Sequence, residues 1–185
     1  MNDGRTYRRL PEHMFDPLVL GVDPGTASVG LALVRRGGRR ADGSSVIWAG
    51  TIRTQPGADP SLRLRAIHQQ VREVIEREHP DVMAIERLMW GRNAPSGMEV
   101  ARASGVIVLA AAQAGVPVEE YAPLEVKMAI SGVGNAPKDV VRRALVRLLG
   151  VEGVPSDLDA ADAVAVAICH LQQSRLRRLT REAVP

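Results

Sequence analysis

Four acidic side chains stand where chemistry could be done: Asp23, Glu86, Asp159 and Asp162. Asp23 closes the aliphatic run Leu18-Val19-Leu20-Gly21-Val22 and is followed by Pro24-Gly25-Thr26. That run reads as a buried strand, and residues 29–34 as its partner. Pro24 presets φ and Gly25 tolerates φ > 0, so the spacing predicts a tight reversal between them. An ionised carboxylate at the carboxyl end of a central strand is costly unless it is hydrogen-bonded or faces a cation. Asp23 is therefore either a turn-former bonded to nearby amides or a functional carboxylate. Glu86 likewise ends a short apolar strand over residues 81–86. Asp159 and Asp162 share one face of the first turn of a helix for which Asp157 is the expected cap. Acidic residues there are also favoured by the helix dipole alone. Gathered in one place, four carboxylates repel and raise one another's pKa, a penalty that divalent cations remove. Oxygen-only ligation selects Mg²⁺ or Mn²⁺ over zinc.

The elements that must carry these groups follow from hydrophobic periodicity. Residues 46–54 read as a third strand, giving an antiparallel meander of three. Residues 61–79 form an amphipathic helix, with Leu64, Ile67, Val71, Val74 and Ile75 on one face, Ser61 as N-cap and Pro80 just beyond. The strand ending in Glu86 follows it. A strand, a crossover helix and a further strand make a right-handed parallel unit. Pairing parallel to the first strand puts Glu86 at the same sheet edge as Asp23, where open α/β sheets place their ligands. The loop over residues 88–97 lies beside that edge. A helix over residues 98–114 is apolar almost all round from Gly105 onward, so more than one of its faces must be covered. Gly115 is its expected C-cap. A fifth strand (116–122), a short helix with Lys127 (124–130), a helix over 138–149 and a last helix from 158 to about 176 complete the order. The class is α/β: a mixed five-stranded sheet, an antiparallel three-strand meander plus two parallel strands, flanked by helices.

Composition bounds the rest. The 185 residues are 45% hydrophobic and 24% charged, the balance of a soluble globular protein. The net charge of +3 mildly favours a polyanionic partner. A single cysteine, Cys169, excludes an internal disulfide and a cysteine-built zinc cluster, and it sits in an apolar helical run as core packing. No apolar span long enough for a membrane and no secretory leader is visible, so the expected location is cytoplasmic. Residues 1–17, with Arg5, Arg8 and Arg9, read as a disordered extension. Residues 18–176 read as a single domain and residues 177–185 as a basic tail.

Four segments, LGVDPGTASVG, AIER, VGNAPK and DLDAADAVAVAICH, together resemble the signature regions of RuvC-type Holliday-junction resolvases, of the ribonuclease H-like superfamily. They run in order over most of the chain. The resemblance implies a ribonuclease H-like fold and an endonuclease acting on four-way DNA junctions. It assigns Asp23, Glu86, Asp159 and Asp162 as catalytic metal ligands, with two Mg²⁺ or Mn²⁺ ions per active site. Lys127 and Lys138 match basic residues near the scissile strand. Met89 and Trp90 occupy the place of a base-unstacking aromatic, and Arg92 and Asn93 share that DNA-binding loop. Ser104 stands where some relatives carry an arginine. The implied partners are junction DNA, a second copy in a homodimer, and the branch-migration proteins RuvA and RuvB, with no membrane. Two other readings of the same residues are a nucleotide-binding domain of the actin-like and sugar-kinase type, suggested by residues 21–26, and a non-catalytic junction-binding module.

Overall fold

The computed structural model describes residues 17–37, 43–88 and 94–182, with side chains over 17–37, 43–88 and 97–174. Residues 1–16 of the expected N-terminal extension and the loop residues Met89, Trp90, Arg92 and Asn93 lie outside the described residues. Strands β1 (Leu18–Asp23), β2 (Ser28–Arg36) and β3 (Ser44–Arg53) are followed by helix α1 (Pro60–Glu78) and strand β4 (Val82–Glu86). Helix α2 (Ala94–Gln113), strand β5 (Val118–Tyr121) and helices α3 (Pro123–Ser131), α4 (Lys138–Leu149) and α5 (Leu158–Glu182) complete the chain. A 3₁₀ turn over Val151–Gly153 precedes α5.

The sheet order is β3-β2-β1-β4-β5. β1–β2 and β2–β3 pair antiparallel, whereas β1–β4 and β4–β5 pair parallel. This is the meander plus two parallel strands expected from the sequence. Central β1 and β4 are buried along nearly their whole length, as helices on both faces of a sheet require. One apolar layer joins Leu20, Val22, Met83 and Ile85 to Ile67 and Val71 of α1 and Ala103 and Ile107 of α2. The other joins Val19, Ala32, Val34 and Ala84 to the Ala163–Cys169 stretch of α5, with Tyr121 and Leu145 beside it. Cys169 is fully buried there, and burial pushes its thiol up to about 12. The Tyr121 hydroxyl and His170 Nδ1 share a buried hydrogen bond of 2.8 Å that ties β5 to α5.

Several local expectations are corrected. Asp59, not Ser61, caps α1: its Oδ1 accepts from the Ser61 amide at 2.8 Å, and Pro60 occupies the first turn, where a missing N–H costs nothing. The turn after Asp23 does not place Gly25 at positive φ. Gly25 is needed for space, since a Cβ there would meet the Ser28 carbonyl oxygen at 2.3 Å. α2 begins one turn early, at Ala94. α5 continues through the expected basic tail to Glu182, because nothing in that run breaks a helix. Gly115, at φ 70°, terminates α2 as expected.

Candidate active site

Strand alternation decides which way the two strand-borne carboxylates face. In β1, Val19 and Gly21 face α5, and Leu20 and Val22 face α1 and α2. Asp23 keeps the parity of Gly21 and lies on the α5 side. In β4, Val82 and Ala84 face α5, so Glu86 does too. Parallel pairing of Val22 with Ile85 then sets Asp23 and Glu86 side by side at the carboxyl edge of the sheet.

The other two carboxylates arrive because α5 is pinned to the same edge by its first turn. Gly30 pairs with Asp23 in register, and a Cβ on it would meet the Asp159 carbonyl oxygen at 1.9 Å. Only glycine lets the helix come so close. Ser28, two residues before Gly30, donates its hydroxyl to Asp159 Oδ2 at 2.5 Å. Asp157 caps α5, its Oδ1 accepting from the Asp159 and Ala160 amides at 3.1 Å each. The same carboxylate accepts from Thr51 Oγ1 at 2.7 Å and pairs with Arg53, both on β3. The Thr51 hydroxyl, then the Ala160 amide, hold Asp157 below the usual carboxylate range. Ser28, Gly30, Thr51 and Arg53 were not singled out in the sequence. Their contacts with α5 join residues far apart in the chain and leave no spacing signal.

Asp23 and Glu86 both feel the acidic side chains around them. Asp23 is pushed up to about 7, first by burial, then by Glu86, Asp162 and Asp159, with Lys138 opposing. Burial, then Asp162, raises Glu86, and Lys138 and Lys127 pull it back. Lys138 Nζ donates to Asp162 Oδ2 at 2.9 Å, which raises the lysine further. Lys127 on α3 and Lys138 at the start of α4 thus both bear on the acidic edge, although Lys138 is largely exposed. Among the described residues, no three acidic, imidazole or thiol side chains are gathered closely enough to form a ready-made metal cage. Asp159 is drawn to Ser28 and Asp162 to Lys138. The donor chemistry nevertheless fits a hard divalent cation: four carboxylates and no sulfur, with one carboxyl driven toward its neutral form first by burial and then by the others.

The family model described as Crossover junction endodeoxyribonuclease RuvC matches residues 19–170. The chain belongs to the RuvC family. It is 47% identical to the RuvC of Moorella thermoacetica over 165 residues, covering 89% of this chain and 97% of that protein. The RuvC of Thermotoga maritima is 41% identical, over 89% of this chain and 96% of its own length. Among solved structures, Thermus thermophilus RuvC in complex with a Holliday junction substrate superposes with a TM-score of 0.79 at 33% identity, covering 86% of this chain and 96% of that one. The yeast mitochondrial Holliday junction resolvase Ydc2, 15% identical with a TM-score of 0.63, shares the fold. These matches establish the ribonuclease H-like architecture and set aside the nucleotide-binding alternative. Among the described residues no helix is long and apolar enough to cross a membrane.

Proposed function

We propose that this chain is an endonuclease that resolves four-way DNA junctions through an acidic centre formed by Asp23, Glu86, Asp159 and Asp162. The products would be a 5′-phosphate and a 3′-hydroxyl. The observation that carries this reading is the meeting of β1, β4 and the first turn of α5 at one sheet edge, in a chain of the RuvC family. RuvC-family nucleases depend on divalent metal. Here the four carboxylates would hold Mg²⁺ or Mn²⁺, two ions per centre. Bound cations supply charge neutralisation at the phosphodiester and acidify water for attack.

The chain's own residues do the rest. Asp23, which burial and then its neighbours bias toward its protonated form, would release that proton to solvent on taking up a cation. Lys138 orients Asp162 through the hydrogen bond from its Nζ, and Lys127 places positive charge beside Glu86. Water oxygen attacks phosphorus and sheds a proton, the bond to the 3′ oxygen breaks, and that oxygen takes up a proton as it leaves. Met89, Trp90, Arg92 and Asn93, in the loop after Glu86, are proposed to contact DNA near the scissile step.

Two coordinated nicks need two centres. α2 leaves Met98 and Leu109 about half exposed, and Gly105 and Ala112 are exposed on the same helical face. That small and apolar strip is proposed as the isologous contact of a homodimer. Cytoplasmic action alongside RuvA and RuvB completes the proposal. The test is cleavage of an end-labelled synthetic four-way junction with Mg²⁺, Mn²⁺ or chelator, with products mapped to the nucleotide. Paired, ligatable, metal-dependent nicks are expected. Equal cutting of linear duplex, or cutting in chelator, would refute it.

A further inference from the structure

The acidic edge has a second side that the proposed chemistry leaves unused. Beneath the turn after Asp23, on the face of the sheet away from α5, α1 and α2 open a small cleft. Thr26, Arg63, Glu99 and Arg102 rim it, and Leu64 and Ile67 form its apolar base. Arg63 is built into place: its Nε donates to Thr54 Oγ1 at 2.9 Å, and that hydroxyl donates to the Thr26 carbonyl at 2.6 Å. The Thr54 amide also donates to the Ala27 carbonyl at 3.0 Å, so one end of β3 braces the whole turn. Among the described residues, neither Arg63 nor Arg102 is ion-paired. Glu99 is the one carboxylate present, its Oε2 accepting from Thr26 Oγ1 at 3.4 Å. Two guanidinium groups against one carboxylate leave the cleft positive.

We infer that Arg63 and Arg102 form a binding site for a backbone phosphate of the DNA strand, one or two nucleotides from the bond that is cut. This inference rests on the nuclease reading above. Thr26 follows Asp23 by three residues, so at most about 11 Å of extended chain separates the acidic edge from the cleft. A strand whose phosphate meets Asp23 and Glu86 must leave the edge over one face or the other. Over α3 and α4 it passes Lys127 and Lys138; over α1 and α2 it passes this pair of arginines. A guanidinium fork matches phosphate oxygens bidentately, and a fork already tethered through Nε loses little freedom on binding. Glu99 opposes the anion and weakens the site.

The test measures binding of the full-length protein to a fluorescent four-way junction in chelator, across a range of salt. Arg63→Gln and Arg102→Gln should each weaken binding roughly fivefold. Each should also flatten the plot of log K against log salt by about half of the roughly 0.9 that one phosphate contact contributes, because the two arginines share that phosphate. Glu99→Gln should tighten binding. Thr54→Val keeps both charges and frees the turn, so it should lower the cleavage rate at saturating junction and leave the salt slope unchanged. Wild-type slopes in both arginine variants overturn the inference, and the Arg63 variant, off the α2 strip, decides if the Arg102 variant alters self-association. If wild-type protein neither binds nor cuts junctions, the nuclease reading falls; if it cuts and both slopes hold, only this inference falls.

Discussion

At neutral pH the Asp23 carboxyl is close to half-protonated, because burial strips its water and Glu86, Asp162 and Asp159 add like charge. Two expectations follow at the scale of this side chain. Asp23→Asn removes the repelling charge and keeps the shape, so the chelated protein should melt about 4 °C higher, reflecting roughly 1–2 kcal/mol. The same variant should bind junctions and cut them about a thousandfold more slowly, as loss of a metal-ligating charge predicts. Calorimetry and the junction assay check the two halves, and a variant that melts lower would contradict the electrostatic account. The pH dependence has a definite sign. Unfolded Asp ionises at its ordinary value of 3.8, and folded Asp23 at about 7. Between those values the unfolded chain binds fewer protons, so raising pH favours unfolding. The melting temperature in chelator should therefore fall from about pH 5 to pH 8, and Glu86, also raised, acts in the same direction. Added Mg²⁺ should restore stability most at the alkaline end, where it competes with fewest protons.

The first turn of α5 is where helix and sheet must fit to within an atom. Gly30→Ala pushes a methyl into the Asp159 carbonyl and should cost about 1–3 kcal/mol. It should slow cutting more than Ser28→Ala, which removes one hydrogen bond and moves no backbone. Denaturant melts and single-turnover cleavage give both numbers. Much of this element was readable in advance. Asp157 announces the cap by preceding an apolar helical run, and the parallel placement of Glu86 beside Asp23 follows from strand, helix, strand. The close approach at Gly30 was not readable, because nothing local to β2 says which helix crosses it. The tethers from Thr51 and Arg53 to Asp157 span more than a hundred residues and leave no spacing signal. The α1 cap moved from Ser61 to Asp59 because Pro60 starts a helix well, and its preceding residue then takes the capping position. The four acidic positions are proposed from resemblance as much as from chemistry, since acidic residues in a helix's first turn are common for dipole reasons alone.

For the whole molecule, the α2 strip is the proposed seat of assembly. Leu109→Arg places a charge in the proposed seam and should give monomers by sedimentation at micromolar concentration. Such monomers should nick one strand of a junction without the paired second cut, and dimers that persist would send the contact elsewhere. The chain order carries a consequence for how the protein comes into being. β1 supplies Asp23 at the start of the sheet, and α5, the last helix, supplies Asp159 and Asp162. A nascent chain leaving the ribosome therefore holds an incomplete acid set until synthesis has passed position 162. Under the proposed function, fragments released early by truncation or proteolysis would be unarmed, and the order of residues within a single polypeptide would protect a cell's chromosome from stray cleavage, with no inhibitor required.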